Sequence, residues 1–197
     1  MHQIAEGRFS PEQLSHELRE HTSESLRRRR KVAALSLASI GALAVPALYQ
    51  LGILRRVPEP RGRWFDSKRV NGAPEAYKYF ETPDAFLGIV SYAVTACLAA
   101  TGNEERWRTR PSRPAGLLLW TIANAVGAVK LTIDQIQKHR ALCPWCLAAA
   151  GLTFATVPLA WKEGGEGIRQ LQREWAERER LTEAEAPAEE LELTGWR

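Results

Sequence analysis

The sequence predicts an all-α fold, an integral membrane four-helix bundle. Three observations carry the prediction. Four apolar blocks without a single charged side chain lie between Val32 and Trp161. The polar residues gather in the termini and connecting stretches, so a mean hydropathy of −0.31 averages over two unlike populations. A soluble domain spreads its charges along amphipathic helices instead. Finally, a dense basic run abuts the first block, as cytoplasmic flanks of spanning helices do.

The chain divides into three parts: a charged N-terminal helix over 1–31, a four-helix domain over 32–161, and a charged helix with an acidic tail over 162–197. Near the start, Ser10, Pro11 and Gln13 form a helix-start signature, with serine capping, proline in the first turn and glutamine reaching back. The helix that follows is expected to end in the run Arg27 to Lys31. Beside a long uncharged segment, that run reads as a cytoplasmic anchor rather than a nucleic-acid patch.

The first block, Val32 to Leu54, is long enough to cross a hydrocarbon core of roughly 30 Å. Thirty hydrophilic residues precede it, which argues against a cleaved signal peptide. The loop from Arg55 to Pro83 is polar and broken by prolines and glycines. Its aromatic residues, Trp64, Phe65, Tyr77, Tyr79 and Phe80, suit either the headgroup layer or a small folded cap.

The second block, Ala85 to Gly102, is rich in small residues that let helices approach closely in lipid. A basic link, Asn103 to Pro114, leads to the third block, Ala115 to Val129. Lys130 and Asp134 follow one turn apart, and that spacing predicts an ion pair near the membrane interface. The fourth block runs from Ala141 to Trp161. Beyond it, Glu166 to Arg180 has amphipathic spacing, and the tail from Thr182 reads as disordered. With both termini cytoplasmic, the inner flanks hold fourteen basic residues against nine outside, the asymmetry expected of that orientation.

Three cysteines are too few for a disulfide scaffold. Two of them, Cys143 and Cys146, form a Cys-x-x-Cys at the outer start of the fourth block. Residues three apart share a helical face within disulfide reach. In a first turn they also meet unpaired N–H groups and the positive end of the helix dipole, which favour the thiolate. Pro144 suits that position. No second cysteine pair is present to complete a zinc site, so no metal is expected. Cys97 lies about 20 Å deeper than Asp84 at 1.5 Å per residue, too far to bridge Cys143, and reads as a packing residue.

The stretches Pro83-Asp84-Ala85-Phe86-Leu87-Gly88-Ile89-Val90-Ser91-Tyr92 and Leu142-Cys143-Pro144-Trp145-Cys146-Leu147, with the helix between them, resemble the vitamin K epoxide reductase family. The resemblance covers residues 32–161. It implies a bundle around a quinone of the ubiquinone or menaquinone type, in the bacterial plasma membrane, with a thioredoxin-like extracytoplasmic thiol protein as partner. By analogy Cys146 faces the quinone and Cys143 exchanges with the donor. Asp84 falls near an amide-bearing family position that contacts a quinone carbonyl, and Phe86 offers an aromatic wall beside it. Family members usually carry a second cysteine pair in the first loop, whereas residues 55–83 contain none. The sequence therefore supports an enzyme that couples thiol exchange to quinone reduction and serves disulfide formation in exported proteins. The alternative is a membrane assembly or thiol-sensing component on the same bundle.

Overall fold

The computed structural model describes residues 10–185 except Tyr79. Helix α1 spans Pro11–Glu20, and the capping box of Ser10 and Gln13 forms as expected. The basic run does not end this helix. The chain breaks after Glu20, and Ser23 caps a new helix, α2, over Glu24–Gln50. Arg27 to Lys31 thus occupy the first turns of the spanning helix itself, and Leu26, Arg29 and Val32 on its inner face are buried.

After α2 come the short helix α3 (Ser67–Asn71) and a 3₁₀ turn over Pro74–Tyr77. Helix α4 runs over Asp84–Ala100 and the short α5 over Arg106–Thr109. Helix α6 spans Ser112–Asp134 and passes into a π-helical turn, Gln135–His139. The last helix, α7, continues without interruption over Pro144–Glu185, taking in both the fourth block and the amphipathic stretch beyond it. Ala141, Leu142 and Cys143 precede α7 and lie outside it. The rest of the acidic tail falls outside the described residues.

Among the described residues, three helical stretches are long and apolar enough to cross a membrane: Glu24–Gln50, Ser112–His139 and Pro144–Thr182. Helix α4 is apolar but only 17 residues long. Large apolar side chains such as Leu37, Val90, Leu119 and Val126 stand exposed around the bundle. That is the arrangement of a protein whose outer surface is solvated by lipid, where leucine and hydrocarbon are equivalent. The protein is an all-α membrane protein.

Helix α2 packs against both α4 and α7, and α6 packs along α7, while α4 and α6 touch only sparsely. Small residues allow the close contacts. A Cβ on Gly88 of α4 would stand 2.5 Å from Leu43 Cδ1, and one on Gly164 would stand 2.4 Å from Leu118 Cβ. The tightest apolar core, Val32, Ala99, Leu117, Leu118 and Ala160, lies at the end away from the cysteines.

That end is also held by buried charge. Arg29 donates to the carbonyls of Ala99, Thr101, Gly102 and Asn103 at 2.7–2.9 Å. Arg106 donates to Leu98 and Thr101 carbonyls and forms a two-point pair with Glu163 at 2.7 and 3.1 Å. The last turn of a helix leaves its carbonyls without intrahelical partners, and these two guanidinium groups satisfy two of them in α4, those of Leu98 and Ala99. Helix α1 docks onto the same region, where Glu17 accepts the Glu104 amide and His21 Nδ1 lies 3.3 Å from Glu104 Oε2.

At the opposite end the 55–83 loop folds as a cap. Leu142 N–H donates to Trp64 O at 2.8 Å and Asp66 N–H to Leu142 O at 3.2 Å, making an isolated parallel bridge between Phe65 and Leu142. Trp145 Nε1 donates to Pro58 O at 2.7 Å. Glu59 accepts the Ser67 amide and Asp66 caps α3 through the Arg69 amide.

Candidate functional site

The π turn after α6 sets the geometry of the cysteine pair. It ends at Arg140 in the left-handed region, φ 49°. The turn brings buried Gln135 under the start of α7, where its Oε1 accepts the Cys143 amide at 2.8 Å. π-helical turns inside helices often mark functional sites, and here the turn aims one amide side chain.

Cys143 is fully buried, at 0% exposure, while Cys146 is half-buried. Both are free, with sulfurs 2.7 Å apart. The Cys146 backbone N–H points at Cys143 Sγ at 3.3 Å, the contact that an N-cap acceptor makes with the first turn. The Cys146 thiol also lies 3.7 Å from Asn71 Oδ1. Cys143, outside the spanning helix, is lowered to about 6, chiefly by the hydrogen bond from the Cys146 thiol; burial opposes this and Asn71 adds to it. Cys143 is therefore the sulfur held as thiolate. The buried Ser67 hydroxyl beside that sulfur also lowers its pKa and has no other hydrogen-bond partner.

Cys146 opens on a cavity of about 400 Å³ between α4, α6 and α7, in the gap left by the sparse α4–α6 contact. Most of the wall is apolar, including Leu43, Leu87, Ala128, Leu131 and Ala149. Polar groups collect at the cysteine end: Asp84, Asn71 and Gln135. Gln50 orients two of them, donating to Asp84 Oδ1 at 2.7 Å and to Asn71 O at 3.4 Å. Deeper in the cavity, Ser91 donates to Asn124 at 2.5 Å, and Asn124 donates to Thr95 at 3.0 Å. A mostly apolar pocket with a few convergent polar groups is the usual form of a small-molecule site.

The sequence-predicted residues are thus brought together unequally. Cys143, Cys146 and Asp84 meet at one end of the bundle. Phe86 does not join them, because the face of α4 that lines the cavity repeats at Asp84, Leu87, Gly88 and Ser91. That is helical spacing, and position 86 falls outside it. Cys97 is not a packing residue either: it is exposed on the outer face of α4, while Thr95 and Ala99 turn inward. Lys130 pairs with Asp134 at 2.8 Å as expected, and Lys138 joins the same carboxylate at 2.9 Å. All three line the cavity. Gln50, Ser67, Asn71 and Gln135 were not anticipated. Asn71 meets Cys146 across 75 residues of chain, and no local spacing announces such a contact. Among the described residues no cluster of His, Cys, Asp and Glu suited to a metal ion occurs.

Residues 31–161 match the model of the vitamin K epoxide reductase family. No curated protein matches the chain. The match spans the four packed helices, the cap and the cysteine pair, and with it the chain belongs to the vitamin K epoxide reductase family, whose members are membrane oxidoreductases.

Proposed function

We propose that this oxidoreductase passes electrons from a dithiol to a quinone through Cys143 and Cys146. One observation carries the reading: Cys146 opens on an apolar cavity while Cys143 stands behind it within bonding range. The cavity volume falls within the range of small-molecule sites, roughly 300–1,000 Å³, and its polar end suits a ring with carbonyl oxygens.

The reaction balances without a further reactant. The Cys146 thiol adds through sulfur to the quinone ring, and its proton passes to a ring oxygen. The Cys143 thiolate then attacks Cys146 Sγ, the S–C bond breaks as the S–S bond forms, and the ring leaves with both electrons as the quinol anion, which takes up one further proton to become the quinol. Asp84, oriented by Gln50, relays the Cys146 proton to the ring oxygen. A donor dithiol then restores the pair and is itself oxidised to a disulfide. The donor is a thioredoxin-like protein on the outer face, and the quinone is of the ubiquinone or menaquinone type. In a bacterial plasma membrane this serves disulfide formation in exported proteins. Because residues 55–83 hold no cysteine, the donor's sulfur meets Cys143 directly.

The test is quinone absorbance against time for protein in mild detergent with dithiothreitol supplied. Cys146→Ser should fall to the uncatalysed rate. Cys143→Ser should block turnover while allowing a trapped adduct at Cys146, since its release needs the neighbouring thiol. Equal rates for the parent and Cys146→Ser would leave a membrane assembly or thiol-sensing role on the same bundle, a reading favoured by the cysteine-free loop over residues 55–83.

A further inference from the structure

The cap meets the start of α7 along a seam, and the surface of that seam is strongly basic. Arg61, Arg63, Lys68, Arg69 and Arg140 are all exposed there. They lie within three residues of the Trp64, Asp66 and Leu142 backbone groups that tie cap to helix. Among the described ion pairs none involves any of the five. The two carboxylates of the strip are already engaged, Glu59 with the Ser67 amide and Asp66 with the Arg69 amide. Arg63 stacks 5.6 Å from the centroid of the exposed Trp64 ring. Unpaired cations held together on one face repel one another, and a field of one sign raises the local concentration of opposite charge. Cys143 is directly beneath, at 0% exposure.

We infer that this seam is the docking surface for the dithiol protein that reduces the Cys143–Cys146 disulfide, and that the partner's contacting face is acidic. The inference rests on the proposed thiol–quinone reading and names the chemistry of its donor. On docking, the strip over Trp64 to Asp66 parts from Leu142. A donor thiolate attacks Cys143 Sγ, the Cys143–Cys146 bond breaks, and Cys146 leaves as thiolate. The donor's second thiolate then attacks its own sulfur in the mixed disulfide and releases Cys143. Two electrons pass to the protein, and the donor departs as a disulfide. Attack at Cys143 rather than Cys146 follows from position, since Cys143 lies under the seam and Cys146 faces the cavity.

The exchange step can be read without any quinone. Full-length protein carrying Cys97→Ala and Cys146→Ser is placed in vesicles of zwitterionic lipid. It is then mixed with cysteine peptides activated as thionitrobenzoate disulfides, one flanked by glutamates and one by lysines. Release of the coloured thiolate gives the rate at Cys143. The glutamate peptide should react about tenfold faster or more at low salt, within the range of electrostatic steering, and the ratio should collapse at high salt. Reversing charge with Arg61→Glu, Arg63→Glu and Arg69→Glu should invert the preference, while a small neutral reagent, dithiodipyridine, reacts as before. Equal rates for the two peptides overturn the inference, as does a preference that survives charge reversal. So does a charge reversal that alters only attachment to vesicles of anionic lipid, which would assign the patch to headgroups. No reaction with any reagent would show that the seam does not open, and overturns it as well. Failure of the quinone reaction leaves these exchange rates untouched, so the two readings fail separately.

Discussion

Cys143 and Cys146 stand three residues apart but not in one environment. The first precedes α7, is sealed under the cap and accepts hydrogen bonds; the second sits inside the helix and faces the cavity. Because the Cys143 sulfur is held at about 6 by the Cys146 thiol and Asn71, its thiolate fraction should rise through that pH and level off above it. Trapping of reduced protein with chloroacetamide from pH 5 to 9, read by mass spectrometry, should give a midpoint for Cys143 near 6. A midpoint in the ordinary thiol range would show that these hydrogen bonds do not act on the sulfur. Ser67→Ala should move the midpoint upward, by removing a hydroxyl that lies beside the sulfur with no other partner. Asn71→Ala removes a buried amide that holds Ser67 O at 2.8 Å and accepts from Cys146. Loss of such a buried partner costs about 1–3 kcal/mol, to be read as a lower midpoint of thermal unfolding in detergent. At this scale the sequence was legible where chemistry and spacing coincide. The Cys-x-x-Cys and the adjoining proline could be read from spacing, and Asp84 from the family resemblance. Asn71, Gln50 and Gln135 could not, because each acts on a partner in another element through a single amide.

The elements around the site were legible by length and hydropathy, but their ends were not. The basic run was read as a terminus because five consecutive cations look like a flank. Leu26 and Val32, one on each side of Arg29 along the buried face, instead continue the helix into the core. Arg29 and Arg106 then serve α4, the shortest of the four packed helices, by donating to the open carbonyls of Ala99 and Leu98 in its last turn. Glu163 neutralises Arg106 in a site where both side chains are nearly excluded from solvent. Breaking a buried pair on one side leaves the other charge uncompensated, at a cost of about 3–5 kcal/mol. Glu163→Gln should therefore lower the unfolding midpoint in detergent strongly. Replacing both partners together, Arg106→Met with Glu163→Met, should cost less than the sum of the two single changes. Simple additivity in this double-mutant cycle would mean the two side chains do not interact across α5 and α7.

On the scale of the whole molecule, the two ends of the bundle are chemically unlike. One carries Arg29, Arg106, Glu163 and the docked α1; the other carries the cap, the cavity mouth and the cysteines. The chain's described ends, α1 and the distal part of α7, share the first of these ends, α1 docking on Glu104 and α7 pairing with Arg106 through Glu163. We propose that this end faces the cytoplasm, from the positive-inside tendency, with fourteen basic residues against nine. The basic cap weakens the asymmetry, and two of the fourteen, Arg29 and Arg106, are buried in hydrogen bonds rather than offered to the membrane surface. Orientation is therefore the property that most needs a direct measurement. Exposed Gly62 in the cap and exposed Arg110 in the link after α4 give one site at each end. Each is replaced by cysteine in protein carrying Cys97→Ala, Cys143→Ser and Cys146→Ser, then treated in intact cells with a maleimide that cannot cross the membrane. The Gly62→Cys site should label at once, and the Arg110→Cys site only after the membrane is opened. Labelling of both from the same side would mean that α4 does not cross. The cap and the inner arginines would then lie in one compartment, and the antiparallel four-crossing arrangement would have to be abandoned.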